Sequence, residues 1–148
     1  RNLDKIINSI EFTKLKGVVI GRSDLAGSYN LAKSEVDSNK IFKLLKSKLK
    51  KIKNKKKLIK MGGSITQNSE EFIAKLFKKK ILDRVETRNI ELKLNNHTLK
   101  NFKTIIPLIF KFEKEWLRYR SNHFRLNKIS KKSISKRIEE LNTRENFK

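Results

Sequence analysis

Three short segments hold the residues whose types and spacing suit chemistry: Asp24 within Gly21-Arg22-Ser23-Asp24, the pair Gly62-Gly63, and Glu86-Thr87-Arg88. Each follows a short apolar run at what reads as the end of a strand, where α/β proteins gather binding and catalytic groups. The first is the most informative. Val18-Val19-Ile20 is β-branched throughout and too short for a helix, as expected of a parallel strand covered on both faces, and it runs straight into the glycine-punctuated turn that carries Asp24. Such a strand-end loop is able to hold a ligand. On spacing alone Asp24 also reads as a turn or cap residue ahead of Leu25. Likewise Arg22 reads as a surface salt-bridge partner, Gly62 and Gly63 as turn glycines, and Glu86 with Arg88 as an ion pair.

The elements that must position these residues alternate. Asn2 to Ser9 has the pattern of a helix tail, Gly17 to Ile20 of a strand, and Ser38 to about Lys53 of a helix. In that helix Ile41, Leu44, Leu45, Leu49 and Ile52 form one apolar stripe, Ser38 or Asn39 is the N-cap, and the lysines occupy the remaining circumference. Leu58 to Met61 is a second strand, followed by a helix that opens at Asn68-Ser69-Glu70-Glu71 and buries Phe72, Ile73, Leu76 and Phe77. A third strand is predicted within Leu82 to Leu94. After Asn95-Asn96 the chain turns helical, with Phe102, Ile105, Ile106, Ile109, Phe112, Trp116 and Tyr119 along one apolar side and Pro107 starting or kinking the helix. Ser133 or Ser135 is expected to cap a last short helix burying Ile138 and Leu141.

Strands alternating with helices in this way imply an α/β protein with parallel pairing. Three strands leave both sheet edges open, so the chain reads as part of something larger. A (β/α)8 barrel typically needs about 250 residues. The expected division is a partial barrel over 1–95 and a helical tail over 96–148, equivalent to the C-terminal portion of a TIM barrel with about three βα units.

Composition narrows the function classes. The chain has 148 residues and a net charge of +23, but 29 of its 38 cationic residues are lysines, whereas nucleic-acid readers lean on arginine. No zinc-finger spacing, aromatic RNP-type motif or helix-turn-helix accompanies the charge, so nucleic acid is not the expected partner. Without cysteine there is no disulfide framework or thiolate site. No apolar run reaches transmembrane length, and a soluble, cytoplasmic protein with no membrane partner is expected. His97 and His123 both read as solvated. Neither a phosphate-binding Gly-Lys-Ser/Thr loop nor a nucleophile elbow occurs.

Gly21-Arg22-Ser23-Asp24-Leu25-Ala26-Gly27-Ser28 resembles the Gly-Arg/Pro-x-Asp-Leu-x-x-Ser signature of the HpcH/HpaI aldolase and citrate-lyase β-subunit family. Asn2-Leu3-Asp4-Lys5-Ile6, Met61-Gly62-Gly63-Ser64-Ile65 and Glu86-Thr87-Arg88 resemble further family segments in the same order. Phe112-Glu113 with Trp116-Leu117, and Lys136-Arg137-Ile138-Glu139 with Leu141, resemble its helical tail. The resemblance covers nearly the whole chain.

It implies a lyase or aldolase barrel that makes or breaks a carbon-carbon bond beside a 2-oxo acid such as pyruvate or oxaloacetate, or that acts on acyl-CoA relatives, with Mg²⁺ or another divalent ion stabilising the enolate. It assigns Asp24 as a metal ligand and Gly21, Arg22 and Ser23 to the bound acid. Ser28 matches the family serine, and Gly62 with Gly63 adds a second strand-end contact. The family's other metal carboxylate and its catalytic arginine correspond to positions ahead of Arg1. The isolated chain is therefore expected to be inactive, with no catalytic residue of its own. The alternative is a basic module, derived from such a barrel, that binds RNA or another polyanion or serves assembly. A homo-oligomer formed through the C-terminal helices is expected on the same resemblance.

Overall fold

The computed structural model describes residues 3–145. Arg1 and Asn2, the latter expected in the first helix, lie outside the described residues, as do residues 146–148 of the expected tail. In order come α1 (Leu3–Ile7), α2 (Ile10–Lys14), β1 (Gly17–Gly21), α3 (Arg22–Ser28), α4 (Asn39–Asn54), β2 (Leu58–Gly62), α5 (Glu70–Lys78), β3 (Arg84–Glu86), β4 (Glu91–Lys93), α6 (Asn96–Lys100), α7 (Phe102–His123) and α8 (Lys128–Glu145). Single 3-10 turns precede α4 and α5.

β1 and β2 pair in parallel from Gly17 opposite Leu58 to Gly21 opposite Gly62, and β2 pairs in parallel with β3. The sheet order is β1-β2-β3-β4, so β1 is an edge strand. In-register neighbours share a face, which puts Val18, Ile20, Ile59, Met61 and Val85 on one side and Val19, Leu58, Lys60 and Glu86 on the other. The first side is the core face. There Ile59 and Met61 meet Ile41, Leu45, Leu49 and Ile52 of α4 and Phe72, Ile73 and Leu76 of α5 in one buried cluster. Each such side chain contributes about 1.5–3 kcal/mol by leaving water. The second side is open. Val19 is 55% exposed, so β1 is not the doubly covered strand its β-branched run predicts. The reason is positional: β1 is the edge strand, and Val19 points away from the core into an open cavity that it shares with residues of α8.

The third expected strand is in fact a hairpin. β3 and β4 are antiparallel, with Val85 opposite Leu92. The Thr87 N–H donates to the Ile90 carbonyl at 2.9 Å and the Ile90 N–H to the Thr87 hydroxyl at 3.2 Å, closing a tight turn around Arg88 and Asn89. A connection this short permits only antiparallel return. The observed architecture is therefore α/β with a small mixed sheet.

Capping follows the sequence at α4, where the Ser38 hydroxyl accepts the Ile41 N–H at 3.3 Å. At α8 it does not. Asn127 accepts the Ser130 N–H at 2.8 Å, so the helix starts about two turns earlier than Ser133 or Ser135 would start it, and it buries Ile134, Arg137 and Leu141 while Ile138 is only partly buried. Pro107 sits inside α7 and removes the N–H that would bond the Lys103 carbonyl. Gln67 supplies the replacement, its side-chain amide donating to that carbonyl at 3.0 Å.

α7 also departs from its predicted apolar side. Its buried residues are Phe102, Ile106, Phe110, Glu113 and Leu117, while Phe112, Trp116 and Tyr119 lie on an exposed second stripe. The core runs without interruption across the expected boundary at residues 95 and 96, since Phe102, Ile106 and Phe110 belong to the same cluster as the sheet. Among the described residues, no helix is long and apolar enough to cross a membrane.

Candidate functional site

A cavity of about 570 Å³ opens at the carboxyl ends of β1, β2 and β3. It brings together Gly21 at the end of β1, Ser23 and Asp24 in the first turn of α3, which takes the place of the expected strand-end loop, Gly62 and Gly63 at the end of β2, and Glu86, Thr87 and Arg88 at the end of β3. These are the three segments that composition and spacing single out.

The start of α3 and the turn after β2 are locked together by close approach. A Cβ on Gly63, whose φ is +82°, would stand 2.6 Å from the Ser23 backbone nitrogen and 2.7 Å from that of Arg22. Only glycine fits there, on both conformational and steric grounds. Beside it the Ser23 and Ser64 hydroxyls share a 3.0 Å hydrogen bond. A Cβ on Gly21 would meet the Asp24 carboxylate at 2.6 Å, so Asp24 is folded back over the strand end. Its side chain is exposed and, among the described residues, has no hydrogen-bond or ion-pair partner. It therefore makes none of the backbone contacts of an Asx turn or cap.

Arg22 and Ser28 stand outside the cavity. Arg22 is fully buried, its guanidinium 5.4 Å from the centre of the Phe72 ring. It pairs with Asp37 and donates to the Gly63 carbonyl at 2.9 Å, the Ser69 hydroxyl at 3.3 Å and the Gly62 carbonyl at 3.4 Å. Ser69 in turn donates to Asp37 at 2.8 Å. Burial pushes the guanidinium below its usual pKa, and Asp37 opposes that shift. With its donors engaged internally, Arg22 positions the loop after β2 rather than facing a ligand. The Ser28 hydroxyl donates to the Leu25 carbonyl of its own helix at 2.7 Å.

The fourth wall comes from α8, which places Arg137, Glu140 and Arg144 at the cavity. The Arg137 Nε and Nη2 donate to one oxygen of Glu113 at 3.0 and 2.9 Å, and the Asn89 amide donates to the same oxygen at 2.8 Å. This knot ties α7, α8 and the β3–β4 turn. Sequence reasoning gave these α8 residues no role, yet a signal was present. Ile134, Arg137, Leu141 and Arg144 recur at helical spacing, so arginines interrupt what is otherwise an apolar stripe. Lys33, also lining the cavity, left no such signal.

Electrostatically the cavity is divided. Glu86 is held 3.3 Å from Lys60, which also pairs with Glu91 at 2.5 Å, and these partners raise the Lys60 pKa. Glu140 is 3.3 Å from Arg137. Asp24 is then the carboxylate without an ion-pair partner, while Lys33, Arg88 and Arg144 are the corresponding cations among the described residues. Burial pushes Arg144 below its ordinary pKa, nearby Arg137 adds to this, and Glu140 and Glu113 work against it.

A hard divalent ion takes about six oxygen ligands, usually including more than one carboxylate when the protein is the main donor. Among the described residues no group of three His, Cys, Asp or Glu side chains converges to hold a metal. Asp24 alone does not make such a site, and Glu86 is already engaged by Lys60.

Fold and site together define an α/β chain with a cavity at the carboxyl ends of its parallel strands. Compared with protein-family models, with curated proteins and with solved structures, the chain matches none.

Proposed function

We propose that this chain is the C-terminal part of a divalent-metal-dependent carbon-carbon lyase or aldolase acting on 2-oxo acids or acyl-CoA relatives, and that by itself it binds such an acid without turning it over. The observation that carries the reading is the convergence of Gly21, Asp24, Gly62 and Gly63 on one strand-end cavity, with Asp24 free of internal partners. The partial TIM barrel is part of the same proposal. β1 offers an unpaired edge and an open face to further βα units, although the antiparallel β4 is not a barrel repeat.

In this reading the strand-end backbone holds the acid, and Asp24 holds one position beside it. The cofactor, Mg²⁺ or a similar ion, supplies enolate stabilisation where a second carboxylate completes its ligands. No step through the metal is assigned to the described residues, because they supply one free carboxylate.

The test adds Mn²⁺ with oxalate, a planar mimic of an oxo-acid enolate, and follows paramagnetic broadening of backbone amide signals. Broadening centred on residues 21–24 and 62–64, lost in Asp24→Asn, is expected. Broadening that ignores Asp24→Asn, or oxaloacetate turnover by the chain alone, contradicts the proposal.

A second reading, assembly as a homo-oligomer through the C-terminal helices, is favoured by one observation. Leu108, Phe112, Trp116 and Tyr119 form an exposed stripe on α7, opposite the face already packed on the core. A helix apolar on both sides is ordinarily covered on both.

A further inference from the structure

The α8 wall carries a cation that the oxo-acid reading does not use. Arg144 is half-buried and lies among Arg137, Arg88 and Glu140, yet it makes no ion pair or hydrogen bond among the described residues. A guanidinium held partly out of water beside two other guanidiniums is costly unless an anion joins it. Glu140 does not fill that role, since its carboxylate is bonded to Arg137 at 3.3 Å. Glu113 has a second oxygen buried without a partner, but no hydrogen bond or ion pair joins it to Arg144 among the described residues.

Arg88 reaches the same cavity from the tip of the β3–β4 turn, and Lys33 from the segment after α3. Three independent elements therefore aim unpaired cations at one space. A second cavity of about 510 Å³ adjoins it, sharing Lys33, Ser64, Glu140 and Arg144 with the first.

We propose that Arg88 and Arg144, assisted by Lys33, form an anion site that takes a carboxylate or phosphate group of the molecule bound in the strand-end cavity. Guanidinium forks suit either group, because both present paired oxygens at matching spacing. Asp24 comes from the start of α3 and Arg144 from α8, so a ligand spanning the cavity would carry its anionic end toward α8 and its reacting end toward the start of α3. This deepens the oxo-acid reading and rests on it only for what the ligand is. The cation cluster itself needs no metal.

Titration calorimetry of the full chain, without metal and at fixed low ionic strength, tests the site with malonate, acetate and inorganic phosphate as probes. Saturable one-site binding of malonate or phosphate is expected, weakened about tenfold by Arg88→Gln and by Arg144→Gln. Arg144→Lys should fall between wild type and Arg144→Gln, and Lys128→Gln, at the exposed start of α8, should leave affinity unchanged. Malonate favoured over phosphate identifies a dicarboxylate as the ligand class, and the reverse identifies a phosphate-bearing ligand.

Arg88 is exposed on a turn, so its variant tests the site even if an Arg144 variant unfolds. Absent saturation, equal losses in Lys128→Gln, or affinity indifferent to Arg88→Gln would overturn the proposal. Asp24→Asn separates the two claims. Malonate or phosphate binding that survives it while the manganese signal is lost supports the anion site independently, whereas manganese localisation at Asp24 without anion binding sinks the anion site alone.

Discussion

At the residue scale the site is built by close approach more than by side-chain chemistry. Gly63 lets the loop after β2 lie against the backbone nitrogens that open α3, and Arg22 clamps the same loop from behind through the Gly62 and Gly63 carbonyls. Replacing Gly63 with Ala forces a Cβ to within 2.6 Å of a backbone atom at a φ of +82°. The expected cost is about 2–3 kcal/mol, read as a lower midpoint in urea unfolding, and a change below about 0.5 kcal/mol would contradict this geometry. The glycines and Asp24 were legible in the sequence because strand-end turns have strong composition rules. The role of Arg22 was not. Its partners Asp37 and Ser69 lie 15 and 47 residues away, and nothing local distinguishes a guanidinium that faces a ligand from one that is buried behind it.

At the element scale the cavity depends on how α8 is held. Glu113 and Arg137 are 0% and 5% exposed, and their pairing also engages Asn89 at the hairpin turn. One oxygen of Glu113 takes all three hydrogen bonds, and the other is buried without a partner among the described residues. Glu113→Gln removes the counter-charge and leaves Arg137 buried, an expected loss of about 3 kcal/mol. Hydrogen exchange should show α8 amides losing protection while those of β2 keep theirs. Uniform loss, or none, would mean that this pair does not dock the helix. The amphipathic stripe of α4 and its Ser38 cap were legible because period and cap chemistry are local. The β3–β4 hairpin and the two-sided apolar pattern of α7 were not. A four-residue turn without glycine carries a weak sequence signal, and two stripes on one helix do not say which of them the core takes.

At the scale of the whole molecule, a helix-covered sheet face faces inward and a second face is left to Val19, Lys60 and Glu86. The alternation of strands and helices was legible from the sequence. The mixed pairing was not, because the turn at Thr87 to Ile90 that reverses the chain lies inside what reads as one strand. The exposed α7 stripe gives this scale its prediction: Phe112→Glu should lower the mass seen by light scattering during size-exclusion chromatography, and an unchanged mass would remove α7 from any assembly. The central claim is that chemistry belongs to the strand-end cavity rather than to the basic surface of α4. Amide-resolved NMR with Mn²⁺ and oxalate tests it most directly. The account predicts broadening that falls off with distance from Asp24, spares the α4 lysines and disappears in Asp24→Asn. Broadening spread over α4, or retained without the Asp24 carboxylate, would contradict it.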